Sequence, residues 1–548
     1  EAEKGLAKGV PTQLTWFPFE TLPEVHCEDG KLVEPIILKW LIILACKLGS
    51  PEPTPALRKY AQYFKQTERR ALGKYIVQAW LTQDTLPRYN METALPVAKQ
   101  QAQQYQRWYP DRTEEDLTKM YLNNLLNDCL GSATKEKGIL AVAAVCNGAE
   151  VVPMVEAYLK KWYGQRLHQC KALIQMLAWN EESVAIQLLL SVANRFRTKG
   201  IQEQANQCVN ELAERQGWTL DQLADRTIPT IGFDEKRTLS LDYGVRKFFC
   251  KINDRLELQL FNEAGKELKN LPEAGRDDDP ELAKATKKEL SEAKKLFKQV
   301  LRLQAERLYE NMCTQRTWKF SELESFLFTH PIISNYCQRL VWVEMISGKA
   351  AQSFRLMEDG TLTDYEDAEV KISHEAEIRL AHSCNLEVDI TAAWLKHFAD
   401  YELKTLFTQF GKESFDLVKV KNADDNQDYL GYLIDNFKLR GILVKLGYVR
   451  GQAEDGGFFC QYHKRFNGLK LEAIIEFSGV PLPEENVKVA LREMYFRQLA
   501  EQDDYSDQYK VSLSEVPAVL LSEIWNDYRA VALASEGFDP NWEKKVAY

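Results

Sequence analysis

The sequence predicts a mainly α, α+β protein: a HEAT-like helical array followed by a mixed α+β domain with antiparallel strands. Three observations predict it. Up to about Asp225, apolar residues recur at helical spacing through successive segments joined by short turns. From Thr238 to Leu271 the pattern changes to short alternating runs separated by turn residues. Beyond Pro280, strand patterns alternate with isolated helical ones, the signature of an α+β arrangement.

Residues 1–22 are expected to be extended, because Pro11, Pro18 and Pro23 limit helix. Helical pattern then runs through Val33–Leu48, Pro55–Lys65, Thr67–Thr82, Met91–Trp108, Glu114–Leu130, Lys137–Cys146, Ala149–Tyr163, Gln165–Trp179, Glu181–Arg197 and Ile201–Gln216. From Lys137 these helices recur in pairs of about 40 residues, a period that suits stacked helical repeats. Each has too little apolar face to stand alone, so neighbours must cover it. Thr219-Leu-Asp-Gln222 has the form of a capping box and opens one last short helix, closing a domain of residues 23–225. The stretch 83–132 breaks the rhythm. It is rich in Gln and Tyr (Gln100, Gln101, Gln103, Gln104, Tyr105, Tyr109) and is expected to be an inserted helical segment, a candidate partner surface.

The α+β domain is expected over 226–548. Thr238–Tyr243, Arg246–Ile252, Leu256–Asn262 and Lys266–Leu271 are separated by Asp242-Tyr-Gly244, Asn253-Asp254 and Asn262-Glu-Ala-Gly265, which predicts an antiparallel meander. A long amphipathic helix follows from about Glu281 to Met312. Ser321–Thr329 and Ile332–Arg339 read as helices, and Leu340–Ile346, Ala351–Met357 and Ala368–Ile372 as strands. Ile390–Asp400 reads as a helix, and Asp428–Leu446 begins as another. Phe458–Phe466 and Leu469–Phe477 flank Asn467-Gly468, a strong hairpin signal; Val487–Tyr495 is a strand and Pro517–Arg529 the last helix.

Charge narrows the partners. Of 548 residues, 70 are basic and 80 acidic, a net charge of −10. Residues 1–225 hold 26 of each sign, so the whole imbalance lies in 226–548. An acidic second half argues against extended binding to a phosphate backbone, which draws most of its affinity from positive charge. Eleven cysteines are scattered with no C-x-x-C pair, a usage that suits a reducing cytoplasm. The longest apolar run, Ile36–Cys46, is interrupted by Lys39 and falls short of the roughly 20 residues a bilayer requires, so no membrane is expected. The start, Glu1-Ala-Glu-Lys4, shows neither an initiator Met nor a signal pattern, and the chain is expected to be a C-terminal portion of a longer protein.

No recognisable catalytic motif occurs. Gly131-Ser-Ala-Thr-Lys-Glu-Lys-Gly138 lacks the Gly-Lys-Ser/Thr ending of a P-loop, and dinucleotide, zincin and nucleophile-elbow patterns are missing. Asp424-Asp-Asn-Gln-Asp428 and Asp503-Asp-Tyr-Ser-Asp507 would gather carboxylates only on a helix, and both read as solvated loops. His382-Ser-Cys384, near His374, offers part of a zinc ligand set but no further ligands at sensible spacing, so no metal is assigned. As strand residues, 382 and 384 would share a face. His330, Arg339, Arg355 and His382 are the candidates for a small-ligand or nucleotide site where strands meet helices. Lys284, Lys287, Lys288, Lys295, Lys298 and Arg302 form a local basic helix face, the candidate for nucleic acid; the plainer reading is lysines in water opposite an apolar stripe. His463-Lys-Arg465, beside Tyr462 and Phe466, is a second basic patch of the same kind.

Several stretches together carry a resemblance: Leu22-Pro23 with Asp29-Gly30; Gln202-Glu203 and Leu220–Arg226 running into Pro229, Gly232 and Asp242-Tyr-Gly244; His330-Pro331 with Arg339-Leu-Val-Trp342; Phe354-Arg355 with Glu358-Asp-Gly360 and Thr361; and the hairpin Gly456–Phe477. From Leu22 onward the chain resembles the bacterial molybdate metabolism regulator (MolR)-like family, whose core domain has no established function. The resemblance implies a link to regulation and no reaction. The sequence departs from it at His382, followed by Ser383 where relatives often carry His-Pro, and it has no Trp-Gly-Arg, so a DNA role through a WGR module does not carry over.

The expectation is a cytoplasmic bacterial regulatory or interaction protein that binds a protein partner through its helical surface, with the cofactor unknown. An enzyme or ligand-responsive domain is the first alternative. A nucleic-acid-associated protein using the basic helix is the second and is not favoured.

Overall fold

The computed structural model describes residues 2–6, 9–109, 112–180, 182–196, 198–416, 423–451, 453, 458–481, 485–499 and 510–546. The chain divides into two compact units, residues 1–227 and 228–548. The first is helical and the second combines helices with antiparallel sheets, a mainly α, α+β protein. Among the described residues, no helix is long and apolar enough to cross a membrane.

In the first unit, Pro35–Cys46, Gln66–Asp84 and Leu140–Cys146 pack together. Gly73 is required there, because a Cβ would lie 2.5 Å from the Asn147 nitrogen. Met91–Tyr105 and Glu114–Leu126 fall between the last two helices in sequence and pack mainly on each other. Their contact is lined by Ala94, Ala98, Ala102 and Leu117, small or slender side chains that let the backbones approach. Asn90 and Thr93 cap the first of the pair reciprocally, and Thr113 caps the second. Val152–Trp162, Leu167–Leu177, Ser183–Arg195 and Lys199–Gln216 then pack in succession. The capping box expected at Thr219 forms: its hydroxyl accepts from Gln222 N at 3.1 Å, and its own N–H donates to the Gln222 side chain at 3.2 Å. The N-terminal segment is not simply extended. Ala2–Leu6 is a short helix, and single turns form at Thr12–Leu14 and Phe19–Thr21, because Leu14 and Phe17 find cover and Tyr75 donates to Pro18 O at 2.7 Å.

The second unit opens with the meander. Leu239–Asp242, Lys247–Ile252, Leu258–Asn262 and Glu267–Leu268 pair in sequence order. Asp279 caps the helix Pro280–Cys313, whose buried stripe of Leu290, Ala293, Phe297, Val300 and Leu308 enters the core. A five-stranded sheet runs Trp318–Lys319, Glu377–Leu380, Val341–Ile346, Lys349–Leu356, Leu362–Thr363. A larger sheet runs Asp425–Asn426, Lys488–Gln498, Leu471–Val480, Phe459–Phe466, Val449–Arg450, and Leu433–Asp435 and Lys510–Val511 also pair with Lys488–Gln498. Helix Ala518–Ala534 is buried along most of its length and packs on Lys488–Gln498 and on Pro280–Cys313.

Two local expectations fail for identifiable reasons, and the expected hairpin forms with a longer loop. Ala368–Ile372 is not a strand, because the Asp364 carboxylate accepts the N–H groups of Glu366 and Ala368 and turns the chain. The helix expected from Asp428 starts only at Asn436, since Leu433–Asp435 is taken up as a strand by Lys488–Gln498. The hairpin forms with Phe466 opposite Leu471, so its loop is Asn467–Lys470, with Lys470 rather than Gly468 at positive φ.

Candidate functional site

A polar cleft of about 840 Å³ lies in the helical unit, lined on one side by Asn123, Asn124 and Asn127 and on the other by Lys161, Trp162 and Gln165. Its floor is made by Arg166, Gln169 and the loop at Gly131. Helix Glu114–Leu126 and its C-cap Asn127 supply the first wall: Asn123 and Asn127, one turn apart, fall on one face. Val152–Trp162 and Leu167–Leu177 supply the second.

Asp84, the last residue of Gln66–Asp84, organises this floor. Its carboxylate is fully buried. It accepts four hydrogen bonds: from Ala133 N at 2.8 Å and Gln169 Nε2 at 3.1 Å on one oxygen, and from Tyr158 OH at 2.5 Å and Arg166 Nη1 at 2.8 Å on the other. Arg166 uses Nη2 to reach Gly131 O at 3.1 Å. Burial, and then the hydrogen bond to Asp84, push the Tyr158 phenol far above its ordinary range, so it remains a donor. Burial alone would lower Arg166, but the Asp84 charge overcomes it and raises the guanidinium. Gly131 is dictated by close approach, since a Cβ would fall 1.9 Å from Gln83 O. Arg166 and Lys161 also lie over the Trp162 ring at 5.3 and 4.6 Å. The cleft therefore offers side-chain amides and fixed cations, beside a buried aromatic ring. Sequence reasoning marked the inserted segment but missed Asp84 and Arg166, which stand 82 positions apart.

The residues expected to form a ligand site in the second unit share no hydrogen-bonding partner. His330 Nδ1 accepts the N–H groups of Ile332 and Ile333, and Nε2 lies 3.1 Å from Ile228 O, so the ring caps a turn. Burial pushes it down to about 4, consistent with a neutral ring. Arg339 donates to the carbonyls of Asp254 and Lys404. Arg355 is buried, donates to His397 Nε2 at 3.1 Å and Gln338 O at 3.2 Å, and lies over the Tyr401 ring. His382 lies in a turn rather than on a strand, and its Nε2 is 3.4 Å from Glu523 Oε1.

Glu523 is fully buried and also accepts from Lys412 Nζ at 2.7 Å and Tyr309 OH at 2.8 Å. One turn along the same helix, Asp527 takes Lys464 Nζ at 3.0 Å, and that ammonium lies over the rings of Tyr309 and Tyr448. Burial opposes ionisation of Glu523, but His382 and Lys412 outweigh it and hold the carboxyl at about 2.

These partners remove the second basic patch. Lys464 is buried against Asp527, and His463, Arg465 and Arg497 surround the buried Glu472 at 3.3, 2.8 and 2.8 Å. Tyr462 and Phe466 are buried and offer no stacking face. On the long helix, Lys284, Lys288, Lys295, Lys298 and Arg302 are exposed, while Lys287 pairs with Glu273 at 2.7 Å. Asp425 and Asn426 form an edge strand and Asp428 accepts from Trp525, so the first Asp-rich run gathers no carboxylate face. The second, Asp503–Asp507, lies outside the described residues. Among the described residues, no group of three His, Cys, Asp or Glu side chains could hold a metal ion.

Over 244 residues the chain is 25% identical to the "Uncharacterized protein YehI" of Escherichia coli (strain K12), a match covering 44% of this chain and 20% of that protein. The chain thus spans only about a fifth of the length of that relative. No solved structure matches. Residues 265–448, all within the second unit, are similar to DUF4132, a domain of unknown function.

Proposed function

We propose that the chain is a cytoplasmic bacterial interaction protein of regulatory type, whose helical unit holds an extended segment of a protein partner in the cleft beside Trp162. The observation that carries this reading is the lining itself. Asn123, Asn124, Asn127, Gln165 and Gln169 line the cleft together with the cations Lys161 and Arg166. A side-chain amide offers one acceptor and two donors, which matches the exposed N–H and C=O groups of an extended peptide. Lys161, exposed at the cleft, favours a carboxylate nearby. The buried Asp84 keeps Arg166 in place before a ligand arrives, which lowers the ordering cost of binding. The resemblance to the molybdate metabolism regulator-like family supports a regulatory purpose for such capture.

The test is selection of a random peptide library on the full chain. Enrichment of a shared motif containing an acidic position, with binding lost in Asn127→Ala and Arg166→Ala, is the expected result. Enrichment that is unchanged in both variants, or no enrichment at all, removes the cleft as the binding surface.

A further inference from the structure

We infer, resting on the reading of the cleft as a peptide-binding surface, that the inserted helices Met91–Tyr105 and Glu114–Leu126 are a lid that turns on a two-stranded neck and closes over the bound segment. The pair is self-contained. Its buried residues are Ala94, Ala98, Ala102 and Leu117, and these line the contact between its own two helices. Its polar side chains also turn inward on the pair. Gln103 donates to Glu114 at 2.9 Å, Gln106 to Arg112 O at 2.6 Å and Arg112 to Met120 Sδ at 3.5 Å, while Lys119 pairs with Glu115 at 2.9 Å. At the near end, Asn127 donates to Asn123 O at 2.9 Å. Among the described residues, every side-chain hydrogen bond and ion pair made by 91–126 ends within 90–127.

The neck is a short antiparallel ladder. Leu130 N donates to Leu86 O at 2.8 Å and Arg88 N to Asp128 O at 3.0 Å, with a bridge between Pro87 and Cys129. The Arg88 side chain adds an ion pair to Asp128 at 2.8 Å. Below the neck the chain is fixed: Gly131 O accepts from Arg166, and Ala133 N donates to Asp84. A fixed base, a two-stranded neck and a self-contained pair of helices are the parts of a hinge. Little packing opposes the swing, because the two helices pack mainly on each other.

The cleft lies beside this neck. Asn123, Asn124 and Asn127 stand on one wall, and Lys161 and Gln165 on the other. Among the described residues, the side chains of Asn124 and Gln165 hold no hydrogen bond, and none joins the pair to the far wall. A bound segment supplies the missing ties, since its backbone N–H and C=O groups can bridge the amides of both walls. The turn required is small. A helix of 13 residues is about 20 Å long, so a rotation of about 20° carries its far end by about 7 Å and Asn123, one turn from the neck, by about 2 Å. That is enough to bring an amide from beyond reach into direct hydrogen bonding.

The test is pulsed dipolar EPR on the full chain. Ketone-bearing amino acids replacing Gln104, near the far end of the pair, and Lys160, on Val152–Trp162, carry nitroxides without using the eleven cysteines. All label positions are exposed, and a control pair at Lys59 and Lys160 spans packed helices only. In the free chain the Gln104–Lys160 distribution is expected to be at least about twice as broad as the control, and saturation with a peptide enriched from the random library is expected to narrow it and shift its mean by more than about 3 Å. A free-chain distribution as narrow as the control, or one that the enriched peptide leaves unchanged, overturns the lid while the cleft remains the peptide site. Absence of any enriched peptide removes the cleft reading itself, and the lid falls with it whatever the width.

Discussion

The Arg166 guanidinium donates to the Asp84 carboxylate at 2.8 Å across 82 positions of sequence, and through that bond the end of one helix sets the floor of a cleft formed by others. Asp84 is wholly buried and Arg166 nearly so, which makes the pair sensitive to losing either member.

Asp84→Ala leaves Arg166, Tyr158 and Gln169 without their shared acceptor. The expected loss is about 3–5 kcal/mol of unfolding free energy, read from denaturant unfolding of the full chain. Arg166→Ala, whose partner keeps three other donors, is expected to lose less.

Gly131→Ala places a Cβ 1.9 Å from Gln83 O and 2.9 Å from Leu86 Cβ. The loop must move, and with it the carbonyl that Arg166 uses. A loss of about 1–3 kcal/mol is expected, along with weaker peptide binding. Gly164→Ala meets nothing within 4 Å and serves as the neutral control; equal melting temperatures for the two variants would contradict the packing argument.

The pH dependence follows from Glu523 and His382. Glu523 is depressed from 4.5 to about 2, so its contribution is present above pH 4.5 and is lost as pH falls through about 2. His382 is raised from 6.5 to about 9, so its contribution is present below pH 6.5 and is lost as pH rises through about 9. Urea midpoints measured from pH 6.5 to 9 are expected to decline in the wild type and to decline less in Glu523→Gln. Parallel slopes would mean the imidazole and carboxylate are not linked.

Lys464 and Asp527 form a buried pair at 3.0 Å. Lys464→Met alone strands a buried carboxylate and is expected to lose about 3–5 kcal/mol. Adding Asp527→Leu is expected to restore part of that loss, because two apolar groups have no desolvation debt. A double-mutant cycle from chemical unfolding measures the coupling; a double variant as unstable as the sum of the two single ones would refute it.

The amino-acid sequence by itself determined what depends on neighbours in the chain. The four-stranded meander, the Thr219 capping box, the long helix with its apolar stripe and the strand pair flanking Asn467 were all legible, since periodicity and turn chemistry act over a few residues. Glu377–Leu380 was missed. Its alternation is only four residues long, and its place between Trp318–Lys319 and Val341–Ile346 comes from partners elsewhere. The sites were less legible still. Asp84 meets Arg166, and His382 meets Glu523 across 141 positions, only after helices and sheets have packed. The same limit applies to charge. The run His463-Lys-Arg465 reads as a basic patch until Glu472 and Asp527 are brought against it. Tertiary structure alone decided which ionic groups face water and which face each other, because burial makes an unpaired charge too costly to keep and so forces distant residues into partnership.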